Sequence, residues 1–359
     1  MSRFLCKKRA GLEAYVPGEQ PRDRKYVKLN TNESPFPPSP ATLRCLREDA
    51  ELNLYPDPTC GELTAALADL YGLRTENVIL GNGSDEILAF AFLAFCDEET
   101  PAVFADITYG FYPVFADLFG VPYKEIPLRE DYTVDVDRFC AAKGTVVLAN
   151  PNAPTGIALG LEEIECILRS DPDRVVLVDE AYVDFGARSA SELLGKYENL
   201  LIVQTFSKSR SMAGARLGFA LGSVDLIEDL NRVKYSFNPY NIDRLTLRLG
   251  AAAVADNGYY MDRCRVICEN RVYTAEKLRA LGFELTDSRT NFLFARHPEI
   301  PGGKLYAKLR ERGVLVRHFG KDRIADHVRI TVGSREEMET LLRATEAILK
   351  EESSCAALP

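Results

Sequence analysis

Lys208 stands in the run TFSKSRSMAGARLGFA (Thr205 to Ala220), just past a predicted strand and among small and hydroxyl-bearing residues. A lysine in a pocket has a depressed pKa and can act as a nucleophilic amine, although most lysines are solvated at the surface. Ser207, Ser209 and Arg216 are near enough in sequence to hold a phosphate beside that amine. Upstream, GNGSDE (Gly81 to Glu86) follows one predicted strand and opens a helix. Two glycines permit a tight turn, and the first-turn amides together with the helix dipole form an anion site. The same residues also suit an ordinary strand–turn–helix with Ser84 or Asp85 as N-cap. The GK[ST] ending of a P-loop is absent.

Two further motifs end predicted strands. NPNAPTG (Asn150 to Gly156) has two prolines and a glycine, so it reads as a rigid loop able to present the Asn152 amide, or simply as a turn. In VDEAYVDF (Val178 to Phe185), Asp179 and Glu180 close a run that should be buried. A buried carboxylate needs a partner that favours its charge, such as a cationic ring nitrogen; capping the next turn is the alternative.

These motifs must be carried by strands and helices. From about Glu62 to Asn238, short apolar runs at 77–80, 101–105, 145–149, 174–180, 199–206 and 216–222 read as buried strands. Helical patterns at 84–95, 160–170 and 223–233 lie between or after them. Apolar strands alternating with helices predict an α/β fold, a mostly parallel sheet covered on both faces, with ligands beyond the carboxyl ends of the strands. After about Leu245 a long helical stretch (245–281) precedes strands at 290–296, 314–319 and 327–333, with helices at 303–312 and 334–350. This predicts a second, smaller α+β domain. The Pro-rich opening to Thr42 should run extended over something else. The predicted division is 1–42 as an N-terminal segment packing on the small domain and a dimer partner, 43–244 as the large domain, and 245–359 as the small one.

Composition narrows the chemistry. Over 359 residues, 46% are hydrophobic and 27% charged, ordinary values for a soluble globular protein. The net charge of −9 argues against nucleic acid as a main partner. No run is long and apolar enough for a membrane span, and the opening residues lack a signal-peptide core, so the cytoplasm is expected. Nine cysteines without a CxxC pair read as ordinary buried thiols in a reduced chain. Cys264 and Cys268 can share a helix face, but nothing nearby completes a metal set, and no metal is expected. Three histidines, all late in the chain, leave little for a triad, so demanding chemistry would need a borrowed cofactor.

In order, GNGSDE, ITYGFY, NPNAPTG, VDEAY and SKSRSMAGARLG resemble the fold-type-I pyridoxal-phosphate aminotransferases. LNTNESP, YPDP at 55–58, YNID at 240–243, NFLFAR and VRITVG resemble, more narrowly, the histidinol-phosphate aminotransferase family, and the likeness runs colinearly along nearly the whole chain. The resemblance implies pyridoxal 5′-phosphate carried by Lys208 as a Schiff base, with Asp179 on the pyridine nitrogen. It implies Asn152 and Tyr182 on the phenolic oxygen and Tyr109 stacked on the ring. Gly83, Ser84, Asp85, Ser207 and Arg216 would hold the phosphate, with Tyr55 contributed across a homodimer interface. Arg329 matches the family's clamp for a substrate anion, and Arg317, Asn32, Glu33 and Tyr15 line the substrate side. The implied catalytic set is Lys208, Asp179 and Tyr109.

The implied reaction joins histidinol phosphate and 2-oxoglutarate to imidazole acetol phosphate and glutamate. Where the family often has SKAFGLAG this chain has SKSRSMAG, which puts Arg210 near the site and leaves substrate preference open. An aromatic amino-acid aminotransferase and a threonine-phosphate decarboxylase-like lyase are the alternatives, distinguished by substrate and by loss of CO₂. A non-catalytic cofactor-binding regulator is opposed by the presence of Lys208, Asp179 and Arg329 together.

Overall fold

Runs such as TVVLA and LLIVQT form strands because β-branched residues suit a pleated, two-sided core and because turn-forming residues bound them. The computed structural model describes residues 4–9, 11–47 and 51–356. In chain order the strands begin with β1 (Val27–Lys28), β2 (Val78–Gly81), β3 (Ala102–Ala105), β4 (Tyr123–Ile126) and β5 (Thr145–Ala149). They continue with β6 (Val176–Asp179), β7 (Leu200–Thr205), β8 (Gly218–Gly222), β9 (Glu284–Leu285) and β10 (Phe292–Arg296). The last three are β11 (Val314–Leu315), β12 (Arg317–His318) and β13 (His327–Thr331). The helices of the first half are α1 (Pro40–Arg44), α2 (Gly61–Tyr71), α3 (Ser84–Phe95), α4 (Phe111–Phe119), α5 (Val136–Cys140) and α6 (Leu161–Ser170). The second half has α7 (Val224–Phe237), α8 (Arg244–Ala255), α9 (Asn257–Ala280), α10 (Gly302–Glu311) and α11 (Arg335–Ala356).

The large sheet has strand order β2-β8-β7-β6-β5-β3-β4. All its pairings are parallel except those of β8, which runs against both β2 and β7. Side chains alternate across it, as the pleat requires. Val146, Leu148, Val176 and Val178 join a core with Ile164 and Ile167 of α6, whereas Val147, Leu177, Leu201 and Val203 face α3 and α4. A third cluster fills the space between α9, α10, α11 and the small antiparallel sheet β12-β13-β10-β9.

Several elements depart from expectation. The run 314–319 is split at Val316: β11 pairs with β1 of the N-terminal segment, while β12 pairs with β13. The helical stretch 245–281 is two helices meeting at Asp256. The N-cap of α3 is Gly83, so Ser84 and Asp85 lie inside the first turn rather than capping it. Only three of the eight described cysteines, Cys60, Cys96 and Cys264, are buried, contrary to the expectation for ordinary core thiols. Among the described residues no helix is long and apolar enough to cross a membrane.

Candidate active site

Because β8 alone runs backwards, its first residues meet the last residues of β2 and β7, and every motif arrives at one edge of the sheet. The approach is close: a Cβ on Gly218 would lie 2.4 Å from the Ser84 amide nitrogen. Gly83 has φ +78°, and a Cβ there would sit 2.6 Å from Arg216 Nη2, so glycine is what lets the guanidinium cover the turn. Beyond this edge opens a cleft of about 720 Å³, whose other wall comes from the small sheet and the N-terminal segment. That volume suits a cofactor with a small substrate.

Lys208 projects into the cleft and donates from Nζ to the Thr31 carbonyl at 3.2 Å, 5.8 Å from the centre of the Tyr182 ring. Burial, followed by the Arg329 charge, pulls the amine down to about 8, while Glu33 and Asp85 oppose the fall. Asp179 ends β6 on the cleft floor. Burial raises its carboxyl to about 6, and Asp85 adds to the rise. The Tyr112 hydroxyl (2.8 Å) and the Ala181 amide (3.2 Å) donate to it and act the other way. Glu180 faces elsewhere, accepting from Ser189, Ala190 and Gln204, and burial raises it to about 7.

Arg216 pairs with Asp85 at 2.9 Å and approaches Ser207 Oγ at 3.5 Å, and Ser84 completes this corner. The second Asp85 oxygen accepts from the Tyr109 hydroxyl at 2.9 Å, so the Asp85 carboxylate positions a cation and an aromatic ring. Only its backbone amide is of the right polarity to meet an anion.

On the substrate side, Arg329 donates to the Asn30 carbonyl at 3.2 Å and lies over Phe292 and Phe319. Its buried Nε has no hydrogen-bond partner, and burial foremost draws the guanidinium's pKa down. Glu33 does not neutralise it. That carboxylate accepts from Lys28 and Thr31, and these bonds outweigh burial and keep its pKa low. Arg317 donates to the carbonyls of Val16 and Pro17, which draws the N-terminal segment across the mouth. There Tyr15 stacks on Phe111 at 4.4 Å and sits 6.3 Å from Tyr109. Asn32, at φ +55°, donates to the Tyr182 hydroxyl at 2.9 Å while its backbone amide and Oδ1 are both met by Thr331 Oγ1.

Three expected positions fall elsewhere, those of Asn152, Ser209 and Arg210. Asn152 does not face the cleft: its amide donates to the Ile107 carbonyl and Thr155 Oγ1, and its oxygen accepts from Thr108. Ala153 lines the cleft instead. Ser209 turns away and accepts from Arg210. Arg210 itself is buried outside the cleft, paired with Asp184 at 3.3 Å and donating to Asn257 at 2.9 Å, so it adds no cation to the substrate space. Tyr55 is 76% exposed, stacked on Tyr240 at 4.6 Å, and does not line its own chain's cleft. Residues not anticipated from sequence are Thr31, Tyr112 and Thr331. Tyr112 closes the quoted ITYGFY run, and its place one helical turn from Tyr109 was the available signal.

The donor set fits pyridoxal phosphate. A buried carboxylate without a cationic partner, an amine of lowered basicity and a guanidinium with an orphaned Nε are held around one cavity. Among the described residues no cluster of histidine, cysteine or carboxylate groups could hold a metal ion.

Residues 24–344 match the family described as aminotransferase class I and II. The chain is 51% identical over 353 residues to a histidinol-phosphate aminotransferase of Marinomonas sp. (strain MWYL1), covering 97% of this chain and all of the relative. It is 46% identical over 353 residues to one from Brachyspira hyodysenteriae, covering 98% of this chain and all of that one. In fold it is similar to a histidinol-phosphate aminotransferase from Sinorhizobium meliloti solved in complex with pyridoxal-5′-phosphate. The TM-score is 0.85, with 24% identity over 91% of this chain and 92% of the other.

Proposed function

The chain belongs to the aminotransferase class I and II family and, within it, to the histidinol-phosphate aminotransferases, and on that premise we propose that its cleft exchanges an amino group between histidinol phosphate and 2-oxoglutarate, in histidine biosynthesis, with pyridoxal phosphate held at Lys208. The observation that carries this reading is the convergence of Lys208, Asp179 and Arg329, three ionisable groups that are costly to bury, in one cavity. When bound, the cofactor supplies an electron sink for the bond pair left at the substrate's Cα.

The chain's own residues do the rest. Lys208, its amine at about 8 and so partly neutral near neutral pH, would hold the cofactor and move the substrate's Cα proton. Asp179 would pair with the ring nitrogen; an ionised carboxylate would keep a proton there, and that charge would offset its own burial. Tyr182, its hydroxyl oriented by Asn32, meets the phenolic oxygen. Asn152 serves from behind, fixing the loop through Ile107 and Thr155. Tyr109, steadied by Asp85, would stack on the ring of the cofactor. Ser207, Arg216 and the amides of Ser84 and Asp85 take the cofactor phosphate. Arg329 grips the substrate carboxylate or phosphate as a planar fork, with Arg317, Tyr15, Asn32 and Glu33 lining the space around it. The Tyr15 segment limits water at the mouth. Tyr55 acts across a homodimer interface, a reading supported by its exposure and by its stacking on the exposed Tyr240 ring. The division into 1–42, 43–244 and 245–359 is part of the same proposal, supported by the separate large and small sheets.

The test is a screen of glutamate-dependent amination across keto compounds, imidazole acetol phosphate included, with borohydride trapping as the check on attachment. Imidazole acetol phosphate is expected to be the preferred acceptor, with the trapped adduct on Lys208 and lost in Lys208→Ala. Preference for an aromatic keto acid, or CO₂ release, would overturn the substrate assignment; an adduct on another lysine would overturn the site.

A further inference from the structure

On the sheet face covered by α5 and α6, two cysteines separated by 26 positions come together. Cys140 is the last residue of α5, Cys166 lies within α6, and their sulfurs are 3.6 Å apart. Cys166 is exposed and Cys140 is partly so; neither lines the cleft. Their proximity is held in place by Arg174, which is 5% exposed and spans the ends of both helices. Its Nη1 donates to the carbonyls of Phe139 and Ala142, and its Nη2 donates to the Ile167 carbonyl and Ser170 Oγ. A guanidinium fixed in this way keeps the C-terminal turns of α5 and α6 from separating, so the thiols stay within reach of each other. Bonding would require the sulfurs to close by about 1.5 Å, to the ordinary S–S length of about 2.05 Å.

We infer that Cys140 and Cys166 form a redox-responsive dithiol that closes to a disulfide when the protein meets a low-molecular-weight disulfide. Cys166, the more accessible thiol, loses its proton and attacks one sulfur of the small disulfide; that S–S bond breaks and one small thiolate leaves and is protonated. Cys140, deprotonated in turn, attacks Cys166 Sγ and expels the second small thiol. Two protein thiols are oxidised and one small disulfide is reduced to two thiols. Burial, followed by the neighbouring Cys166, holds the Cys140 thiol above its ordinary range, with Ser170 and Arg174 pulling the other way. The bond would tie the helix before β5 to the helix before β6, constraining the unfolded chain more than the folded one. Both cysteines lie outside the cleft, so turnover should persist while resistance to unfolding rises.

The experiment uses cofactor-loaded enzyme incubated with oxidised glutathione, then alkylated and mapped by mass spectrometry without reduction. The expected result is a linked Cys140–Cys166 peptide pair and the loss of two alkylatable thiols, reversed by dithiothreitol. The thermal midpoint should rise by a few degrees in the wild type and not in Cys166→Ser or Cys140→Ser. Glutathione adducts without a cross-link, or a cross-link to any other cysteine, would overturn the proposal.

Discussion

The hydroxyl of Tyr112, fully buried in α4, donates to Oδ2 of Asp179 at 2.8 Å across the first helical turn after β3. This bond favours the ionised carboxylate, while burial and Asp85 favour the protonated one, and the balance leaves Asp179 at about 6. Removing the hydroxyl therefore moves Asp179 further up. In Tyr112→Phe the pH below which cofactor-free enzyme stops capturing pyridoxal phosphate should rise by about one to two units, since a hydrogen bond to a charged group contributes about 1.5–3 kcal/mol. Titrating cofactor capture against pH for both proteins checks this; superimposable profiles would exclude the role.

Arg329 tests the substrate assignment. Lysine keeps the charge but loses the planar fork, so Arg329→Lys should weaken both glutamate and the phosphorylated substrate by about 2 kcal/mol, or roughly 30-fold. The cofactor's absorption spectrum should stay as in the wild type. Half-reaction kinetics with each substrate provide the measurement, and unaltered binding of both would leave Arg329 a structural residue.

Tyr55 is examined by mixing. In heterodimers of Tyr55→Phe and Lys208→Ala subunits, a residue acting across the interface puts both lesions in one site and leaves the other whole. About half of wild-type activity per heterodimer is then expected, by counting intact sites. Verified heterodimers that stay inactive would assign Tyr55 to its own subunit.

Arg210 is predicted to matter for stability and not for substrate choice. Arg210→Met strands Asp184 without its guanidinium and leaves Asn257 unmet, at a cost of about 3 kcal/mol or more. The thermal midpoint should fall while the ratio of rates on histidinol phosphate and on aromatic amino acids holds. A changed ratio with unchanged stability would place the guanidinium in the substrate space.

The legible parts of the sequence were those where local chemistry and tertiary role agree. Strands β5, β6 and β7 are apolar on both faces because both faces are covered, and Ser84–Phe95 reads as a helix and is one. β4 was not anticipated because YKEI is an edge strand, three of whose four residues are exposed, so it carries no apolar run. α4 was obscured by Pro113, which sits at the helix's third residue, where the amide has no intrahelical partner to lose. Asp179 stood out as a carboxylate closing an apolar run, whereas the roles of Lys208 and Arg329 came from the family resemblance of the motifs that hold them. Asn152 could not be oriented, since an asparagine in a proline-rich turn can meet nearby backbone and hydroxyl groups, and here the Ile107 carbonyl and the hydroxyls of Thr155 and Thr108 take its amide. Thr31 and Thr331 carried no signal at all; what they do depends on partners some 180 and 300 positions away.

That last distance bears on the order in which the protein is made. β1 finds its hydrogen-bond partners in β11, and the Thr331 amide donates to the Leu29 carbonyl, so the first strand is satisfied only by nearly the last. A nascent chain that has emerged as far as α9 already carries Lys208, Asp179 and Arg216, yet its N-terminal strand has nothing to pair with. Domains generally fold as units during synthesis, N-terminal portions first. Here the residues around β1, Thr31 and Asn32 among them, must wait until β11 and β13 have been made. The cleft is thus a late product of biosynthesis, and a chain interrupted before β11 would hold a formed large sheet with one wall of its cavity missing.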